Sequence, residues 1–187
     1  MNKNTLGGIL VGVMLALGWQ TSMAAEAGKT AAADLSRSAN ASLKQLYASV
    51  PLAKSVGPKA LAVLVFPKVT KAGLGIGGQY GEGALLQKGK AVAYYNTAGA
   101  SFGLQAGAQQ YGYAMFFMNA NALAQLDKAE GFEIGIGPTV VVVDEGMAKS
   151  LTTTTMKDDI YAFIFGQKGL MAGLGIQGNK ITKINPK

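Results

Sequence analysis

The glycine-alternating segment at residues 72–83 constrains the fold of this chain more than any other feature. It reads AGLGIGGQYGEG, and a shorter version, AGLGIQG, returns at residues 172–178. In a strand, this alternation places Leu74 and Ile76 on one face and leaves the opposite face without side chains. Another part of the molecule must lie close to that bare backbone, and we expect a packed helix or a neighbouring layer there.

Both glycine segments also fit the G-x-G-x-x-G expression, at residues 73–78 and 173–178. That motif binds a dinucleotide only where a tight turn leads directly into a helix. Neither segment is followed by a helical pattern. We therefore interpret both as strands, and no cofactor is predicted.

The rest of the pattern predicts helices first and strands afterwards. Apolar residues recur at helical spacing from Leu35 to Val50, and Pro51 ends that helix and opens a second, short one. Short β-type runs broken by glycine begin at Ala60. Predicted strands cover residues 60–66, 72–80, 84–87, 91–96, 101–109, 111–118, 133–143, 160–165, 170–176 and 181–184; a hairpin turn is predicted at 88–90, a short helix within 119–129, and an edge strand or a loop at 152–155.

These elements predict an α+β fold. We expect a strongly twisted, mostly antiparallel sheet that curls toward a barrel, with the N-terminal helices packed against it.

The N-terminus has the order of residues typical of a secretory signal peptide. Lys3 precedes an apolar run from Leu6 to Leu17, and small residues follow at Ser22 and Ala24. The pattern predicts a signal peptide at residues 1–24, cleavage after Ala24 and a single domain at residues 25–187. A retained N-terminal anchor is the competing interpretation. The expected location is therefore periplasmic or secreted.

Composition excludes several kinds of catalysis. The chain contains no His and no Cys, so a catalytic triad with His, a thiol nucleophile and a His/Cys zinc site are all absent. The adjacent acids Asp144-Glu145 and Asp158-Asp159 are typical of turns rather than of a catalytic carboxylate pair. We predict that the protein is not an enzyme, with no catalytic residues and no metal.

Several segments resemble the SYLF domain family in the expected order. They are residues 59–69 (KALAVLVFPKV), 71–83, 103–109 (GLQAGAQ), 159–161 (DIY) and 168–174 (KGLMAGL). The resemblance implies a lipid-binding module. Eukaryotic members use a basic, amphipathic N-terminal helix on phosphoinositide membranes, and some bind actin filaments. The export signal predicted here argues against actin as a partner.

Charge supports a membrane surface as the partner. Without Lys3 the chain has 17 − 1 = 16 basic and 10 acidic residues. The basic residues of the first third of the mature chain are the predicted lipid-binding set for anionic phospholipid head groups: Arg37, Lys44, Lys54, Lys59, Lys68 and Lys71. Each contributes about 1 kcal/mol near an anionic bilayer. An ordinary solvated face, on a helix whose apolar side packs on its own sheet, is the other interpretation of these charges.

Nucleic acid and the outer membrane are two other partners that a basic chain rich in strands can have. Nucleic acid is not expected, because the aromatic residues lie in apolar strand runs rather than between basic residues. A small outer-membrane β-barrel or a structural envelope protein is the alternative to peripheral lipid binding. The sequence gives no indication of the oligomeric state.

Overall fold

A computed structural model describes residues 8–143, 157–169 and 176–186, with side chains except those of residues 8–25, 27, 75, 101–106 and 169. The helices are α1 (Gly8–Ser49), α2 (Pro51–Val56) and α3 (Ala120–Ala124), with 3₁₀ turns at Gly57–Lys59 and Gln125–Asp127. The strands are β1 (Ala62–Gln87), β2 (Lys90–Phe117), β3 (Phe132–Glu133), β4 (Val140–Val143), β5 (Ile160–Gly169) and β6 (Lys180–Ile184).

One long antiparallel hairpin, β1–β2, organises the sheet. Its turn lies at Lys88 and Gly89, whose φ angles of 49° and 78° suit a two-residue hairpin loop. The second edge of β2 pairs with β6 along its first half and with β5 along its second half. β3 extends the sheet beyond β6, and β4 lies parallel to β5. The sheet curls into a half-barrel with α1 packed on it, which confirms the predicted α+β fold.

Two long strands replace six of the predicted short ones. The predicted break at Pro67 is a shift of pairing register between Phe66 and Val69, and β1 continues beyond it. Bulges of this kind bend a strand without ending it. Proline and glycine in this segment therefore mark bends and not the strand ends predicted from the sequence.

β1 bends sharply at residues 73–77, here called the apex. A Cβ on Gly73 would lie 2.6 Å from the Ile76 carbonyl oxygen and would also meet the Gly77 backbone. In an extended strand, residues four apart are separated by about 13 Å. The register shifts at the apex, so that three residues of β2 lie opposite the single residue between Leu74 and Ile76.

Beyond the apex, β1 returns over its own beginning. Residues 65–69 lie against Gly81 and Gly83, and this contact is here called the crossing. A Cβ on Gly81 would lie 2.6 Å from the Lys68 carbonyl oxygen, and one on Gly83 would lie 2.6 Å from the Phe66 ring. The element that lies against this bare backbone is therefore the first part of the same strand. Of the two occupants expected from the sequence, a packed helix or a neighbouring layer, the second lies directly on this backbone, and α1 passes beside it.

The core lies on both faces of the sheet. The outer face packs against α1 and α2 through buried residues including Ala39, Leu46, Val65 and Phe116. The inner face of the curl encloses a second cluster that includes Phe66, Tyr113, Met115 and Phe132. Around Ala39 and Leu46, the apolar side of α1 thus packs on the sheet. Among the described residues, no helix combines the length and apolar character needed to span a membrane.

The remaining elements follow the sequence in part. α3 is capped by the Asn119 side chain, which accepts from the Ala122 amide at 2.9 Å. The predicted strand at 133–143 is interrupted, because Gly135 and Gly137 adopt positive φ angles of 106° and 95° between β3 and β4. Asp159 lies in a bend, as expected. Four predicted features lie wholly or partly outside the described residues. They are residues 1–7 of the signal peptide, the turn acids at 144–145, the edge strand or loop at 152–155, and residues 170–175 of the strand at 170–176.

Candidate functional site: the basic cleft beside helix α1

An open cleft of about 350 Å³ lies where α1 passes the crossing. It lies between the helix and both arms of β1, because the crossing brings the two arms together beneath α1. Its lining residues are Leu35, Ser38, Pro67, Lys68, Thr70, Tyr80, Gly81 and Glu82. The sequence predicted Lys68 as part of a site. The contribution of the second arm was missed, since it depends on the fold of β1 over itself.

The cleft contains one exposed cation and one carboxylate that is already hydrogen-bonded. Lys68 is exposed, and the Tyr80 hydroxyl donates to Glu82 Oε1 at 2.9 Å. Burial and the neighbouring Glu82 raise the pKa of Tyr80, whose hydroxyl proton is used in this hydrogen bond. Thr70 and Ser38 add hydroxyl groups. Lys68 and these two hydroxyl groups offer a cation and neutral donors, which are the groups that bind a phosphate ester.

The exposed side of α1 continues the basic surface beyond the cleft. Arg37 and Lys44 are seven residues apart, about 10 Å along one side of the helix, and both are exposed. Arg37 forms an ion pair with Asp34, which offsets part of its charge. Lys54 and Lys59 are also exposed, in α2 and the 3₁₀ turn that follows it.

Lys71 is placed differently from the other five predicted residues. It is 4% exposed and lies on the inner face, opposite Gln109 in β2. The register shift at Pro67 explains this placement, because it reverses which residues of β1 face inward. Lys71 therefore does not belong to the exposed basic surface.

A buried polar cluster fills part of the inner face, and sequence reasoning did not single it out. Tyr111 donates to Gln79 Oε1 at 2.5 Å, and the Gln79 amide donates to Asn179 Oδ1 at 2.5 Å. Tyr113 donates to Thr97 at 2.7 Å. Burial raises the pKa of Tyr111 to about 12. Polar residues at inward-facing positions of apolar strands could have indicated this cluster. Recognising them requires knowing which residues of each strand point inward, and the sequence alone does not fix this.

The cluster is a structural element of the half-barrel. Gly99 makes room for it, since a Cβ at that position would collide with the Asn179 side chain. Gln109 lies on the same face, and its Oε1 has no hydrogen-bond partner among the described residues. Over that same part of the chain, no group of three or more Asp or Glu side chains is arranged to hold a metal ion.

Comparison with protein families gives one match. Residues 98–186 match the family described as Ysc84, a Las17-binding protein actin regulator. The match covers 89 of 187 residues, from the middle of β2 to the end of the described chain. It confirms the resemblance to the SYLF domain found from the sequence segments. A comparison with curated proteins found no match.

Proposed function

With residues 98–186 assigned to the SYLF (Ysc84) family, we propose that this protein is a non-enzymatic lipid-binding protein of the bacterial envelope. It binds the head groups of anionic phospholipids at the membrane surface, and it does so through the basic cleft and the exposed side of α1. The N-terminal signal pattern supports a periplasmic or secreted location.

The observation that carries this proposal is the concentration of exposed cations in the first part of the chain, on α1, α2, the 3₁₀ turn after α2 and the start of β1. Residues 26–82 contain seven basic and three acidic residues. Of the three acids, Asp34 pairs with Arg37, and Glu82 accepts from Tyr80. Lys44, Lys54, Lys59 and Lys68 are exposed, and together they supply about 4 kcal/mol next to an anionic bilayer.

Sedimentation with vesicles tests the proposal. Wild-type protein should bind vesicles that contain phosphatidylglycerol more tightly than vesicles of phosphatidylcholine alone. Binding should weaken as the salt concentration rises from about 50 to about 300 mM, because the screening length then shortens roughly twofold. The triple variant Arg37→Gln, Lys44→Gln, Lys68→Gln should lose roughly tenfold to a hundredfold in affinity, since it removes up to three charges.

A matched control is available in the later part of the chain. Lys128, Lys157 and Lys180 are exposed, and their replacement by Gln gives the same change in net charge. Equal binding by the two triple variants would contradict the proposed surface. Equal binding of wild type to neutral and anionic vesicles would contradict the electrostatic mechanism.

The family description offers a second candidate, a protein partner related to actin regulation. The proposed export argues against this candidate, because an exported protein would not meet such a partner in the cytoplasm. Co-sedimentation with actin filaments at 150 mM salt, with the same triple variants, separates the two candidates: binding to filaments without binding to vesicles would favour the second.

A further inference from the structure

The basic surface lacks an apolar part of its own. Charge alone gives weak and salt-sensitive attachment, and stable peripheral binding requires some apolar burial in the membrane. The usual source is the apolar side of an amphipathic helix. In the part of α1 whose side chains are described, that side is already packed, with Ala39 and Leu46 fully buried against the sheet. The helix would have to leave the sheet in order to insert.

The apex presents exposed apolar side chains, and the described side chains of α1 do not include any large ones. Leu74 and Ile76 are 81% and 70% exposed, the highest values among the exposed large apolar residues of the described chain. They lie on either side of the sharp bend of β1. The next residues on the same face of β1 are Ala72 and Gly78, which are too small to shield these side chains.

The apex lies on the same face of the sheet as the basic cleft. Thr70 and Tyr80 line the cleft, one on each arm of β1. Pairing is regular from Thr70 to Leu74 and again from Ile76 to Tyr80. Alternate residues share a face, so Leu74 and Ile76 lie on the face that carries α1, about 13 Å beyond the cleft along each arm.

The charges around the apex favour a lipid as its partner. Residues 72–81 and 91–126 contain no charged residue, so the apex and the strand paired with it are free of ionised groups. The exposed cations at its border are Lys68 in β1 and Lys168 in β5. Lys168 lies beside Thr70 across the sheet, because Gln110 of β2 pairs with Thr70 on one side and with Lys168 on the other. An uncharged apolar projection bordered by cations complements hydrocarbon beneath a layer of phosphates.

We propose that the apex is the membrane-insertion element of the protein, with Leu74 and Ile76 entering the acyl region of an anionic bilayer while Lys68 and Lys168 contact its phosphates. The inference rests on the proposed function and specifies which residues leave water. The helix α1 stays folded on the sheet and contributes charge only.

The absence of cysteine from the chain gives a direct test. Leu74→Cys and Ile76→Cys, each labelled with an environment-sensitive fluorophore, are mixed with phosphatidylglycerol vesicles. The bound fraction is measured in parallel by sedimentation. Ile136→Cys is the matched control, because Ile136 is 62% exposed and lies in the segment after β3.

We expect both apex labels to shift to shorter emission wavelength on vesicle binding, and to be quenched by quenchers carried on the lipid chains. The control label should keep its aqueous emission. Bound protein whose apex labels stay in water would overturn the insertion and leave the proposed function intact. A blue shift without vesicles that grows with protein concentration would also overturn it, because a second copy of the chain would then cover the apex.

A second measurement uses no label. The double variant Leu74→Gln, Ile76→Gln should bind anionic vesicles roughly tenfold to a hundredfold more weakly. Each substitution removes most of the favourable free energy of transferring that side chain from water into hydrocarbon. Leu61→Gln with Ile136→Gln replaces the same residue types at exposed positions and should leave the affinity unchanged. Equal affinities would contradict insertion. If wild type fails to bind vesicles at all, the proposed function fails first.

Discussion

The crossing and the apex come from the same twelve-residue glycine segment and have opposite roles. At the crossing, Gly81 and Gly83 are required because the first part of β1 lies against their backbone. At the apex, glycine surrounds two apolar residues that point into solvent. One use of glycine permits close packing, and the other permits a sharp bend that leaves side chains unpartnered. Stability should therefore depend on the crossing and membrane binding on the apex.

The largest effect on stability should come from the crossing. Gly83→Val places methyl groups against the Val65 carbonyl oxygen and the Phe66 ring, neither of which can move without displacing the strand. We expect the free energy of unfolding to fall by about 3 kcal/mol, measured by denaturant unfolding.

The matched control lies in the same segment. A Cβ on Gly78 would meet only the Gly99 carbonyl oxygen, at an ordinary 3.9 Å. Gly78→Val should be neutral or slightly stabilising, because valine favours a strand. An equal loss of stability in both variants would show that the crossing is not a special contact.

The buried polar cluster should give the next effect. Tyr111→Phe removes the donor to Gln79 Oε1 and should cost about 1–2 kcal/mol of unfolding free energy. Tyr80→Phe removes a hydrogen bond on the outer face, where Tyr80 is half exposed, and should change stability by less than about 0.5 kcal/mol. Thermal unfolding of these two variants compares the inner and outer faces of the sheet, because each variant loses one tyrosine hydroxyl group.

Alkaline unfolding tests the same burial through pH. Folding raises the pKa of Tyr111 from 10.0 to about 12, and burial raises that of Tyr113 as well. A raised pKa in the folded state stabilises the protein fully below pH 10, and this contribution is lost as pH rises through the folded value. We expect unfolding free energy to decrease between about pH 10 and 12, and less steeply in Tyr111→Phe. An identical slope in the variant would mean that Tyr111 titrates normally.

The smallest effect on stability should come from the apex. Leu74→Gln with Ile76→Gln removes side chains that contact little, so the free energy of unfolding should change by no more than about 0.5 kcal/mol. The thermal midpoint and circular dichroism should match wild type. A marked loss of stability would show that the apex packs against another part of the protein. The apex would then not be a free surface for lipid.

The sequence was sufficient for the class of fold and for much of the helical part. Alternating and apolar runs predicted the sheet, and Pro51 and Lys88–Gly89 predicted the end of α1 and the hairpin turn. Local pattern could not show that β1 continues through Pro67, because a bulge and a strand end share the same residues. That single difference moved Lys71 from the predicted surface to the inner face.

The candidate site could be predicted only in part for the same reason. Arg37, Lys44 and Lys68 are exposed residues whose charge is visible in the sequence. Tyr80 and Glu82 join the cleft because β1 crosses itself, a contact between residues more than ten apart. The exposure of Leu74 and Ile76 also depends on this bend, since alternation alone predicts a shared face and does not say whether that face is covered.

Lysine footprinting on vesicles tests the central claim most directly, because lysines lie both in the proposed surface and outside it and no substitution is required. The protein is acetylated briefly with and without phosphatidylglycerol vesicles, and each site is quantified by mass spectrometry. We expect protection of Lys44, Lys68 and Lys168, no change at the exposed residues Lys128, Lys157 and Lys180, and slow reaction of buried Lys71 in both samples. Protection of the second group, or uniform protection over all exposed lysines, would contradict binding through the basic cleft and the apex.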